Sequence, residues 1–155
     1  MSKPTTSKPI SLRQRALDCL ARREYSLQEL HRKLQPHAGE EDDLPALLND
    51  FQQRGWLSDE RYTEQIVHAR KSRYGSLKVA QELREKGVDE ALVDKAVAAL
   101  SQDEEARARG VWQRKFGEAP ANREAWAKQA RFLQSRGFGF DTIKRVLRND
   151  PDETK

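Results

Sequence analysis

The sequence predicts an all-α chain, three tandem three-helix repeats forming an elongated, curved body, and three observations carry that expectation. Only 31 of the 155 residues, 20%, are Leu, Ile, Val or Phe, while 35% are charged and the mean hydropathy is −0.95. So few large apolar side chains suit small helical units stacked in a row, each burying a narrow stripe. Helix start and stop signals recur along nearly the whole chain, with no strand-like alternation. The second and third units also overlay at an offset of 50: Ala80, Leu83, Lys86, Gly87, Val88, Val93 and Val97 fall on Ala130, Leu133, Arg136, Gly137, Phe138, Ile143 and Leu147.

Taken in order, residues 1–11 read as a disordered arm, because Pro, Ser, Thr and Lys dominate them. Leu12, Ala16, Cys19 and Leu20 share one helical face. Ser26 to Glu29 is a capping box opening a helix with Leu27, Leu30 and Leu34 inward, and Pro36 ends it. Asp42 or Asp43 starts a third helix with Pro45 in its first turn and Leu44, Leu47, Leu48 and Phe51 inside; Gly55 closes it and Trp56 packs back. Ser58 opens the next helix, with Tyr62, Ile66 and Ala69 inward, and Gly75 and Ser76 break it. Leu77, Ala80 and Leu83 lead to Gly87; Asp89 caps a helix carrying Leu92, Val93, Ala96, Val97 and Leu100. A second capping box, Ser101 to Glu104, precedes Ala108, Trp112 and Phe116. A helix from Asn122 holds Trp126, Ala130 and Leu133, and a short last one holds Ile143, Val146 and Leu147. Trp56, Trp112 and Trp126 are expected in the core. The repeats are thus placed at 12–57, 58–100 and 101–149, with a disordered tail at 150–155. Gly87 and Gly137 are expected in equivalent left-handed turns. With no heptad seam, nothing demands a dimer, and a monomer is expected.

The longest apolar run, Ala96 to Leu100, is far short of the roughly 20 residues that span a bilayer, so no membrane association is expected. The first nine residues lack an apolar signal core, and one cysteine cannot form an internal disulfide; a reduced, cytoplasmic setting is the expectation. No catalytic, cofactor or metal site is expected either. His31 and His37 are six apart, His68 stands alone, and Cys19 has no cysteine partner. Gly137-Phe138-Gly139 is a fragment of a dinucleotide fingerprint that follows no strand.

Charge is more informative. Between Ala106 and Asn149 the sequence holds 11 basic residues against Glu118, Glu124 and Asp141, a local +8. Arg70, Lys71, Arg73 and Lys78 cluster with Tyr74 around one interhelical turn; Lys128, Arg131, Arg136, Lys144, Arg145 and Arg148 recur on the last two helices among Phe132 and Phe140. Such clusters can contact phosphates while interleaved aromatics stack on bases. They can equally be solvated helix faces. The candidate binding residues are Arg70, Lys71, Arg73, Lys78, Arg131, Arg136, Lys144, Arg145 and Arg148.

Specific strings narrow the reading. Arg15-Ala16-Leu17, Leu20, Arg22-Arg23, Ser26, Glu29-Leu30 and Lys33-Leu34 resemble the opening signature of the RecX family, bacterial regulators of the RecA recombinase. Gly55-Trp56-Leu57-Ser58-Asp59-Glu60-Arg61-Tyr62 resembles its next block. Gly75, Glu82-Leu83 and Lys86-Gly87-Val88 resemble the middle repeat; Arg131-Phe132-Leu133, Arg136-Gly137-Phe138, Asp141 and Ile143 resemble the last. Ser76 stands where the family pattern leads one to expect Pro, and Ser135 where a basic residue is common. The resemblance implies a non-enzymatic, cytoplasmic modulator that binds RecA, chiefly as a filament on single-stranded DNA. It further implies inhibition of RecA's ATP hydrolysis, strand exchange and coprotease activity, with weak, sequence-independent DNA binding. The alternative is a helix-turn-helix regulator of transcription acting on duplex operators. Such readers usually dimerise around one recognition helix, whereas three unequal units follow one another here.

Overall fold

The computed structural model describes residues 9–147, which form nine α-helices and one short 3-10 turn, with no strand among them. Arg148, the tail at 150–155 and all of the N-terminal arm before Pro9 lie outside the described residues. The chain divides into two compact units, Met1–Tyr62 and Thr63–Lys155.

The first unit holds α1 (Leu12–Arg22), α2 (Leu27–Leu34), the 3-10 turn Gln35–His37, α3 (Leu44–Gln53) and the start of α4 (Asp59–Arg70). Each start has the cap that its residues dictate. Ser11 Oγ accepts from Gln14 N–H at 3.0 Å, and Asp43 Oδ1 accepts from Ala46 N–H at 3.1 Å. Ser26 and Glu29 close the reciprocal capping box, while Leu27 N–H donates to Asp59 Oδ1 at 2.7 Å, so the start of α4 helps to cap α2. Burial pushes the Asp59 carboxyl up from its usual value, against the opposing pull of that hydrogen bond. Leu12, Ala16, Cys19, Leu30, Leu34, Leu44, Leu48, Phe51 and Leu57 make one core. Trp56 does not join it: the residue is 42% exposed, edge-on to Phe51 at 5.4 Å, with the Arg54 guanidinium 5.1 Å from its ring. Gly55, at φ 76°, turns the chain immediately before it and leaves the indole on the surface.

The second unit contains the rest of α4, then α5 (Ser76–Glu85), α6 (Glu90–Ser101), α7 (Glu104–Lys115), α8 (Arg123–Ser135) and α9 (Phe140–Val146). Gly87 (φ 76°) and Gly137 (φ 89°) occupy the expected left-handed turns. Val88 N–H returns to Leu83 O and Phe138 N–H to Leu133 O, and both leucines are fully buried. Four expectations are corrected. Ser101 and Glu104 form no capping box, because Ser101 ends α6 with its hydroxyl on Val97 O, 2.8 Å away. Asp89 stands at an N-cap without a capping hydrogen bond. Leu77 is 60% exposed, since α5 buries Val79, Ala80 and Leu83 instead. Ala69 is exposed on α4. Trp112 and Trp126 are half-buried against the core of Ala108, Val111, Leu133, Phe138, Ile143, Val146 and Leu147, with their indole N–H groups on Gln129 Oε1 and Leu147 O.

Candidate functional site

The turn from α4 into α5, residues 71–75, is where the third helical triplet meets the second within this unit. Turn carbonyls outside a helix ladder need donors as well, and here arginines supply them. Arg107 NH1 donates to Lys71 O and Tyr74 O, each at 2.9 Å; Arg114 NH2 donates to Ser72 O at 2.7 Å, and Arg136 NH1 to Arg73 O at 3.4 Å. Backbone completes the junction: Gly75 N–H donates to Arg136 O at 2.8 Å and Leu77 N–H to Gly137 O at 3.1 Å. A side chain at Gly75 would run into the Gly137 backbone, and one at Gly137 into the Lys78 backbone, so two glycines permit this approach.

Beneath the turn lies Glu104. Buried at the start of α7, it accepts from Ser76 N–H at 3.0 Å, from Ser76 Oγ at 3.2 Å and from Arg107 NH2 at 3.2 Å. Proline, expected at position 76 from the resemblance, would have no N–H to give. Serine gives two donors to one carboxylate. Arg107 is 10% exposed and is saturated by Asp103, Glu104 and the carbonyls of Lys71, Tyr74 and Leu100. Both residues are therefore structural.

Outside this junction an open cleft of about 410 Å³ is lined by Arg73, Tyr74, Val111, Arg114, Lys115, Phe132 and Arg136. The Arg136 guanidinium sits 5.5 Å from the Tyr74 ring centroid and 4.9 Å from that of Phe132; the Lys115 ammonium lies 5.5 Å from Phe132. No carboxylate lines the cleft, and among the described residues none of its four cations forms an ion pair. Four like charges around one concavity repel one another, so the cleft is built to accept negative charge.

Three expected site residues meet here: Arg73 and Arg136 line the cleft, and Lys78 lies over the Tyr74 ring with its ammonium at 5.4 Å. Arg70 is committed elsewhere, held bidentate by Glu82 at 2.9 Å. Lys71 contributes a carbonyl to the junction and has an exposed side chain. Arg131 is exposed on α8 and Arg145 on α9; the Lys144 ammonium lies 5.3 Å from the Phe140 ring, and none of these three lines the cleft. Arg148 lies outside the described residues. Sequence reasoning missed Arg114 and Lys115 on α7. Arg107, Val111 and Arg114 follow at i, i+4 and i+7, a spacing that puts them on one face and was the available signal.

Among the described residues, no group of three or more His, Cys, Asp or Glu could hold a metal ion, and no helix is long and apolar enough to cross a membrane.

Comparison with known proteins gives consistent matches. Residues 58–97 match the family model of the RecX second three-helix domain, and residues 103–147 that of the RecX third three-helix domain. The chain is 47% identical over 139 residues to regulatory protein RecX of Leptothrix cholodnii, covering 90% of this chain and 88% of that one. It is 42% identical over 143 residues to regulatory protein RecX of Chromobacterium violaceum, covering 92% and 93%. The crystal structure of RecX from Lactobacillus salivarius superposes with a TM-score of 0.76 at 18% identity, over 90% of this chain and 94% of that one, a likeness of fold.

Proposed function

The chain belongs to the RecX family, and from that premise we propose that it is a cytoplasmic regulator of the RecA recombinase. It binds RecA, chiefly as the filament on single-stranded DNA, and inhibits ATP hydrolysis, strand exchange and coprotease activity. It thereby modulates recombination, DNA repair and the SOS response. It acts as a monomer, without a cofactor, and binds DNA weakly and without sequence preference. The observation that carries this reading is the match to relatives named regulatory protein RecX over about nine-tenths of both chains. The unpaired cations of the cleft support it, because a nucleoprotein filament presents phosphates and acidic protein surface.

The test is RecA ATP hydrolysis on single-stranded DNA, measured against rising concentrations of this protein. Inhibition that saturates is the expected result. Undiminished hydrolysis, together with tight binding to one duplex sequence, would overturn the reading in favour of an operator-binding regulator.

A further inference from the structure

We propose that the cleft of the second unit is a stacking site for single-stranded nucleic acid, with phosphates held by Arg73, Arg114, Lys115 and Arg136 and an unstacked base against the Phe132 and Tyr74 rings. This deepens the RecA reading and rests on it only for where the strand is met, inside the filament. Charge alone would suit any polyanion. The cleft, however, pairs its four cations with two aromatic rings that are only half-buried. An acidic peptide has no use for those rings, and a duplex keeps its bases stacked inside. A single strand offers both a phosphate and a free base face, the combination that basic grooves with aromatic platforms bind.

The geometry is set before any ligand arrives. Arg114 and Arg136 each spend one nitrogen on a turn carbonyl, and a guanidinium carries five N–H donors, so donors are left over for phosphate oxygens. Arg136 is steadied between the two rings, as a planar group must be to stack or to bind bidentately. Lys115 is exposed, with its ammonium 5.5 Å from the Phe132 ring centroid; turning that ammonium to a phosphate would withdraw one of the two cations beside the ring, the other being Arg136 at 4.9 Å. A cavity of about 410 Å³ lies within the usual size range of small-ligand pockets, enough for a nucleotide and not for a helix.

The experiment uses the intact chain without RecA and measures fluorescence anisotropy of labelled dT15 and of a 15-base-pair duplex at several salt concentrations. The parent is expected to bind dT15 more tightly than the duplex. Phe132→Leu should weaken dT15 binding about tenfold at every salt concentration, leaving the salt slope unchanged. The pair Arg114→Gln and Lys115→Gln should instead reduce the slope by about 1.4, at roughly 0.7 for each phosphate contact on a single strand. If Phe132→Leu loses helicity, Tyr74→Leu serves for the stacking arm. Equal affinity for duplex and single strand, parental binding by the folded ring variants, or equal displacement by a poly-glutamate peptide of matched charge would each overturn the proposal, the last pointing to an acidic protein partner. RecA ATP hydrolysis is measured in parallel. Inhibition without naked-strand binding refutes the cleft alone, and strand binding without inhibition refutes the RecA reading alone.

Discussion

At Gly137 two separate demands fall on one residue. Its φ of 89° is left-handed, and an added Cβ would meet the Lys78 backbone; Gly55 has a similar φ, 76°, but nothing within 4 Å. Gly55→Ala should therefore cost about 1 kcal/mol, the backbone penalty. Gly137→Ala should cost about 2–4 kcal/mol, because overpacking adds its own 1–3. Thermal or urea unfolding of the two variants checks this, and equal losses would refute the close approach. The left-handed turn was legible from the basic-Gly-apolar spacing. The contact with Lys78 was not, since it joins residues far apart in sequence and only the fold brings them together. Carboxylates give a second prediction at this scale. Hydrogen bonding from Arg54 lowers Asp50, and hydrogen bonding from Arg84 lowers Glu90, whereas burial raises Asp59. The stability contributed by Asp50 and Glu90 is present above their unfolded values and lost as pH falls through the folded ones. For Asp59 the sign reverses: its contribution is complete below the unfolded value and is lost as pH rises through the raised folded value. Carboxyl NMR titration should place Asp59 above the usual range and the other two below theirs.

The start of α7 shows why a local motif can mislead about an element. Ser101 and Glu104 have capping-box spacing, yet α6 runs through Ser101, and Glu104 turns to the start of α5 instead. A capping box saves two exposed amides; Glu104, once buried, must satisfy a carboxylate, and Ser76 with Arg107 does so. Ser26 to Glu29 keeps the motif although Arg23 also donates to the Glu29 carboxylate, at 3.1 and 2.6 Å, because that pairing leaves Glu29 within reach of the Ser26 amide, and Ser26→Ala should cost about 1 kcal/mol. Arg107→Ala should cost more, about 3–5 kcal/mol, since it strands a buried carboxylate and removes donors from three carbonyls. Arg107→Lys should recover only part of that loss, because one ammonium cannot reproduce the guanidinium fork. Chemical denaturation gives the ordering; a lysine variant as stable as the parent would show that the fork is dispensable.

For the whole molecule, helical content and family were legible because capping residues, turn glycines and motif order are written locally along the chain. The proposed binding surface was only half legible. Its cations come from the α4–α5 turn, α7 and the end of α8, and charge counting cannot tell a cation already paired, such as Arg70 with Glu82, from one left over. That difference makes the last prediction. If the proposed regulation works through uncompensated charge gathered in one cleft, then neutralising Arg73, Arg114 and Lys115 to Gln should shift the RecA inhibition curve to at least about tenfold higher concentration, three lost contacts being worth that much or more. Neutralising Arg131 and Arg145, which are exposed but do not line the cleft, should shift it by less than about threefold, as expected of solvated surface charge. The gap should narrow as salt is raised, because screening removes the parent's electrostatic advantage first. Circular dichroism of each variant establishes that the helices persist. A larger shift for the Arg131 and Arg145 pair would move the working surface to the exposed faces of α8 and α9. Equal curves for all three proteins would make the basic residues a solubility feature and place the contact with RecA elsewhere on the chain.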